Sequence, residues 1–246
     1  QQRRAFVADA SHELRTPVAA IRALAEPLLT DRPLDVAIYK EHLHDIVQEC
    51  DRAGRLVDSL LELARLDMRA EARRQAGEDA EPVDLRVVVA EVVHALEPLA
   101  AERGVRLELQ PGLPVTAPAD PQLLEAVVGN LVENGIKYTP RGGSVQVAVG
   151  VGEEAAQVDG PGPAGPGSAR QVAWLKVTDT GMGIPREHQA RIFERFYRVD
   201  KARSRATGGA GLGLAIAAEA AARLGGRVEV ASEPGQGSEF TLVLPL

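Results

Sequence analysis

Between Leu43 and Ala64 apolar residues recur at alternating steps of three and four: Leu43, Ile46, Cys50, Ala53, Val57, Leu60 and Ala64. This spacing keeps one face of an α-helix apolar without interruption, which obliges the helix to pack against other helices. A second line, Leu56 and Leu63, widens the seam to the broad face of a bundle. Upstream, Phe6, Ala10, Leu14, Pro17, Ile21, Leu24 and Leu28 follow the same spacing, so residues 1 to about 30 read as a helix that Pro17 should kink. TDRP at 30–33 is a turn, and Asp35 is the N-cap of a second helix running from about 35 to 70. Such a hairpin cannot bury so wide a face alone. Two copies can, as a four-helix bundle, so a homodimer through the hairpin is expected. Cys50 then reads as a small core residue of the seam, and His42 and His44 as solvated.

The pattern breaks in MRAEARRQAGEDAEP, residues 68–82, where charge and small residues take over. A fraying helix end and a linker are expected there, giving a helical domain at 1–70, a linker at 71–82 and a second domain at 83–246. In that second domain strands are expected at Val83–Leu85, Val105–Leu109, Val115–Ala117, 144–151 and 172–178, and helices near 86–102 and at Pro121–Tyr138. A helix at Leu212–Leu224 and a hairpin of Arg227–Ala231 with Phe240–Leu244 follow. Residues 152–170, GEEAAQVDGPGPAGPGSAR, read as a flexible loop. Helices and strands mix without regular βαβ alternation, which predicts an α+β sandwich, a mixed sheet covered by helices on one face.

A net charge of −7 argues against a nucleic-acid partner. The single cysteine cannot form an internal disulfide, so a reducing, cytoplasmic setting is expected. No apolar run approaches the roughly 20 residues of a membrane helix, so no membrane contact is expected of this stretch. The chain begins abruptly in helical sequence, QQRRAFVADA, as a piece of a longer protein would.

Four stretches carry chemistry. In SHELRTP, His12 offers an imidazole nucleophile, Glu13 a carboxylate able to accept its proton, and Thr16 a hydroxyl one helical turn on. In NLVENGIKYTP, Asn130, Asn134 and Lys137 lie four and three apart on one helix face. Amide oxygens and a lysine there suit a hard cation with phosphates, and Gly135 suggests a close backbone approach. In VTDTGMGIP, Asp179 ends a strand beside a turn that Gly181 and Gly183 permit, and can accept a hydrogen bond from an exocyclic amine. In GGAGLGLAIA, glycines open a helix whose backbone amides suit phosphate. No strand leads into it and no Lys-Ser or Lys-Thr follows, which excludes a dinucleotide fingerprint and a P-loop. Between the last two, residues 186–209 read as a basic, irregular lid with Phe193, Phe196 and Tyr197 as anchors and Arg198, Lys201, Arg203 or Arg205 reaching phosphate. Taken singly, each stretch also fits a plain polar surface.

Their order is more informative than any one of them. Over nearly the whole chain it resembles the bacterial sensor histidine kinases of two-component signalling, with their histidine, asparagine, glycine, phenylalanine and second glycine boxes in sequence. The resemblance implies a dimerisation and phosphotransfer domain followed by an ATP-binding domain of the gyrase and chaperone superfamily. It implies that His12 takes the γ-phosphoryl of ATP and passes it to an aspartate of a response regulator receiver domain, with Glu13 orienting the ring and Thr16 helping to dephosphorylate the regulator. Asn130 would hold Mg²⁺, with Asn134 and Lys137 near the phosphates and Tyr138 beside the nucleotide. Asp179 would bond the adenine amine with Gly181 and Gly183 giving the base room, while Gly209, Gly211, Leu212 and Gly213 would form the phosphate-binding helix start. A rigid-body swing about the linker would bring His12 and nucleotide together, and the parent would often be membrane-anchored. Ala210 and Gly135 depart from the common Thr and Ala, and full kinase competence is expected in spite of both. The rivals are an ATP-hydrolysing gyrase or chaperone relative, a scaffold with a degenerate ATP site, and a kinase acting mainly as a phosphatase.

Overall fold

The computed structural model of the chain describes residues 2–29, 35–76, 81–155, 169–199 and 211–246. The chain divides into two units, Gln1–Arg65 with Arg195–Leu212, and Leu66–Glu194 with Gly213–Leu246.

The helical unit is built from α1 (Gln2–Ala25), a 3-10 turn (Glu26–Leu29) and α2 (Val36–Ala76). Asp35 caps α2 as its position predicts: Oδ1 accepts from the Ala37 N–H at 3.0 Å, and its carbonyl accepts from Tyr39 at 3.1 Å. The TDRP turn lies outside the described residues. Helix α1 runs through Pro17, which is buried. Helix α2 continues to Ala76, past the expected end near 70, because MRAEARRQA holds only good helix formers up to Gly77. Among the described residues of α2, those buried within one copy belong to the second apolar line, Leu56 at 5% and Leu63 at 3% exposure. Leu43 and Val57 of the seam are exposed. Cys50, on the same seam, is exposed within one copy too. His44 is exposed and pairs with Gln48 at 2.8 Å. His42 is half-buried, with Nδ1 shielded and without a partner among the described residues, contrary to its expected solvation.

The second unit is a two-layer α+β sandwich. Its strands are β1 (Pro82–Asp84), β2 (Arg106–Leu109), β3 (Thr116–Pro118), β4 (Ser144–Ala155), β5 (Ala169–Asp179), β6 (Arg227–Glu233) and β7 (Gly237–Pro245). Its helices are α3 (Leu85–Arg103), α4 (Pro121–Tyr138), the single turn α5 (Arg186–Gln189) and α6 (Gly213–Arg223). The main sheet has the order β2-β4-β5-β7-β6, parallel only at β2–β4, and β1 pairs with β3 apart from it. Asp84 and Asp120 cap α3 and α4, accepting from Arg86 and Gln122 at 2.9 Å each. Helix α4 lies between α3 and α6 and against the sheet. Its residues Leu124, Val127, Val128, Leu131, Val132 and Ile136 are fully buried. Strand alternation supplies the other half of the core, with Val147, Val177 and Phe240 in one cross-strand row and Val149, Leu175 and Leu242 in the next.

Strands β4 and β5 extend further than expected: residues 152–155 pair with 169–172, inside the stretch read as a loop. The middle of that stretch, 156–168, lies outside the described residues. Gly150 and Gly152 do not end the strand because the indole of Trp174, opposite Gly150 in register, lies over both. A β-carbon on Gly150 would overlap that ring.

Candidate active site

His12 and Thr16 lie on the exposed side of α1, and Glu13 is half-buried. The Thr16 hydroxyl donates to the His12 carbonyl at 3.3 Å, the local back-bond of a helical threonine. The imidazole is thus presented to solvent, with a carboxylate next to it in sequence and a hydroxyl one turn away.

In the sandwich the predicted residues lie along α4, at the end of β5 and at the start of α6. Asn130 donates from Nδ2 to the Ala126 carbonyl at 2.8 Å, which points Oδ1 at the first residue of α6. A β-carbon on Gly213 would stand 2.8 Å from that oxygen, so glycine keeps the space in front of it open. An amide oxygen so oriented is a hard neutral donor, the type that a Mg²⁺ ion accepts beside phosphate oxygens and water. Asn134 is half-buried on the same helix. Lys137 stands over the Tyr138 ring, 5.7 Å from its centroid. Gly135 faces Val145, whose methyl groups would lie 3.2 and 3.3 Å from a β-carbon, with the Asp179 Cβ at 3.7 Å. The close approach expected at Gly135 is therefore a packing contact of helix on sheet.

Asp179 is the last residue of β5 and occupies the inner, core-facing register, which leaves it 5% exposed. Its Oδ1 accepts from the Gly181 N–H at 2.8 Å. Burial pushes its carboxyl above the usual range, and hydrogen bonds from Gly181 and Ser238 pull the other way without cancelling it. The two glycines of the turn are sterically required. A β-carbon on Gly181 would come within 2.6 Å of Asp179 Oδ1 and 2.7 Å of the Tyr138 carbonyl. Gly183 has φ 68°, and a side chain there would run into the Glu233 carbonyl.

Gly211 and Leu212 directly precede α6, Gly211 with φ 71° and Leu212 fully buried. The helix begins at Gly213, one residue after its expected start. Gly209 and Ala210 lie outside the described residues, as do Lys201, Arg203 and Arg205. The expected lid is not irregular throughout, since Arg186–Gln189 form α5 and Ile192 is buried. Phe196 takes φ 64°, and its N–H donates to Gly211 O at 2.8 Å. Sequence reasoning missed Ser238, which the β5–β7 register places opposite Asp179, and with it Ser232 and Gln189.

The model for histidine kinase-, DNA gyrase B- and HSP90-like ATPases matches residues 119–246, more than half of the chain. The His Kinase A phospho-acceptor domain matches residues 2–69. The chain belongs to the sensor histidine kinases. This kinase is 39% identical over 245 residues to the sensor-like histidine kinase SenX3 of Mycobacterium tuberculosis, covering 99% of the chain and 54% of SenX3. The chain thus spans about half the length of the curated relatives it matches. Full-length ShkA, solved in complex with AMPPNP, aligns at a TM-score of 0.56 and 28% identity over 98% of the kinase and 45% of ShkA. ThkA, solved in complex with the response regulator protein TrrA, shares the fold at a TM-score of 0.63 and 19% identity, over 98% of the kinase and 61% of that chain. Among the described residues no helix is long and apolar enough to cross a membrane.

Proposed function

We propose that the chain is the kinase core of a two-component sensor: it phosphorylates its own His12 from ATP and hands the phosphoryl group to an aspartate of a receiver domain. The observation that carries this reading is an exposed His12 within the phospho-acceptor match, in the same chain as a buried carboxylate flanked by obligatory glycines within the ATPase match. ATP binds with its adenine amine donating to Asp179, and with Gly181 and Gly183 making room for the base. Lys137 and Asn134 lie toward the phosphates, Tyr138 beside the nucleotide, and Gly209, Gly211, Leu212 and Gly213 lead the chain into a helix N-terminus suited to anions. Asn130 Oδ1 would hold Mg²⁺, which supplies charge neutralisation on the phosphate oxygens when bound.

A ring nitrogen of His12 attacks the γ-phosphorus, the bond to the β–γ bridging oxygen breaks, and ADP departs. Glu13 takes the proton that the imidazole releases, leaving a phosphoramidate. A receiver carboxylate oxygen then attacks the same phosphorus, and the P–N bond breaks as Glu13 returns the proton to the leaving ring nitrogen, giving an acyl phosphate and neutral imidazole. Thr16, exposed one turn from His12, would orient a water that later hydrolyses that acyl phosphate.

The domain division that fits this scheme is 1–70, 71–82 and 83–246, with a swing about the linker between steps. The hairpin forms a homodimer. On α2, Val36, Leu43, Val47, Cys50, Val57 and Leu61 make a continuous exposed face at heptad-like spacing, which a second copy would cover. Its substrate ATP and its receiver partner place this core in the cytoplasm.

Phosphoryl passage tests the reading. The chain is loaded with γ-labelled ATP, stripped of nucleotide and chased with a set of receiver domains. Label should leave the kinase for the aspartate of one receiver within minutes. Label that never enters the chain, or stays on it in the presence of every receiver, refutes the reading.

A further inference from the structure

Behind Asp179 a chain of hydrogen bonds crosses the β6–β7 hairpin and returns to the turn that follows β5. Ser238 lies opposite Asp179 in the sheet register, close enough to its carboxylate to favour the charged form. Ser232 Oγ lies 3.0 Å from Ser238 Oγ and 2.8 Å from the Gly237 carbonyl, and it accepts from the Ile184 N–H at 2.8 Å. Gln189, at the end of α5, donates both amide protons from Nε2, to the Ile184 carbonyl at 2.9 Å and the Ser232 carbonyl at 2.8 Å. The Gly235 N–H closes the set on the Met182 carbonyl at 2.7 Å.

These bonds compensate for a weakness built into the turn. Gly181 and Gly183 contribute no side-chain packing, and Met182 is exposed, so little apolar contact fixes the backbone of 181–184. Both backbone polar groups of Ile184 are taken by side chains of the clamp. A serine hydroxyl has one proton and accepts on its lone pairs. The Ser232 proton goes to the Gly237 carbonyl, which can only accept, and Ser232 Oγ fixes the place of the Ser238 hydroxyl, 3.0 Å away, beside Asp179. The carboxylate is held by Gly181 from one side and flanked by the hydroxyl that Ser232 positions on the other.

We infer that Ser232 and Gln189 are positioning residues for base recognition: Gln189 fixes the glycine turn, and Ser232, acting through Ser238, sets the orientation of the Asp179 carboxylate and with it the preference for a base that bears an exocyclic amine. The inference rests on the reading of Asp179 as the acceptor of the adenine amine. Neither residue touches nucleotide, so their effect is on discrimination.

Equilibrium binding of ATP and of purine riboside triphosphate, which lacks only the amine, tests it. Wild type, Ser232→Ala, Ser232→Thr and Gln189→Leu are compared with Mg²⁺ present, and thermal unfolding is recorded alongside. Ser232→Ala is expected to lose about tenfold in ATP affinity, the cost of a misplaced buried hydrogen bond, and to bind the analogue nearly as wild type does. Ser232→Thr, which keeps the hydroxyl, restores the preference, and Gln189→Leu lowers it in part. Equal weakening of both nucleotides by Ser232→Ala and Gln189→Leu would mark a merely structural role and overturn the inference, as would an unchanged preference. Should Ser232→Ala fail to fold, Gln189→Leu decides between the same outcomes. A wild type that binds both nucleotides equally overturns the Asp179 reading itself, and the clamp with it.

Discussion

The Gly181 N–H donates to Asp179 Oδ1 across 2.8 Å, at a carboxylate that the core-facing register of β5 has almost wholly removed from water. Burial disfavours the charged form, so the folded chain holds the Asp179 proton more tightly than the unfolded chain does. Asp179 therefore favours folding below its unfolded value near 3.8, and that contribution is lost as pH rises through the elevated folded value. Asp179→Asn keeps an acceptor for Gly181 and removes the charge. It should raise the unfolding midpoint at neutral pH, with an advantage that shrinks toward acid, while ATP affinity falls at least about tenfold because an amide NH₂ cannot accept from the adenine amine. Calorimetric unfolding at several pH values, paired with nucleotide titration, checks both halves.

Two glycines should respond in opposite directions to alanine. Gly183 has φ 68° and faces the Glu233 carbonyl, so Gly183→Ala is strained twice and should cost more than about 2 kcal/mol together with most ATP binding. Gly129 lies inside α4 with nothing within 4 Å of a β-carbon, so Gly129→Ala should stabilise the domain by up to about 1 kcal/mol. Denaturant unfolding measures the two differences.

Leu43, 53% exposed, and Leu61, 49% exposed, belong to the open face of α2. Leu43→Glu with Leu61→Glu should turn the dimer into a monomer in sedimentation while the hairpin stays helical. Leu56→Ala, at a side chain 5% exposed, should instead cost about 2–5 kcal/mol of hairpin stability. A double glutamate variant that sediments as a dimer would rule out this face.

His12→Gln should abolish autophosphorylation and leave dephosphorylation of a phosphorylated receiver in place, whereas Thr16→Ala should do the reverse. Thr16 is exposed and makes only a local bond, so its loss should change stability by less than about 0.5 kcal/mol. Parallel kinase and phosphatase assays on one receiver separate the two activities.

Much of this was readable from spacing alone. Helical period placed Asn130, Asn134 and Lys137 on α4, and Asp35 marks the start of α2 with its own side chain. Turn glycines likewise announced the bend after Asp179. Spacing could not say which of two apolar lines α2 spends on its own hairpin and which it leaves open, as it does Leu43, Cys50 and Val57. Nor could it reach Ser232, Ser238 and Gln189, because their partners are set by strand register between residues far apart in sequence. Gly152 looked like a loop residue because the indole that covers it comes from the facing strand.

The most direct test of the central claim is the chemical identity of the phosphorylated group. After incubation with γ-labelled ATP and Mg²⁺, the wild type should carry label that acid removes and alkali spares, the behaviour of a phosphoramidate, and His12→Ala should carry none. Label that survives acid, or that persists in His12→Ala, would contradict the account.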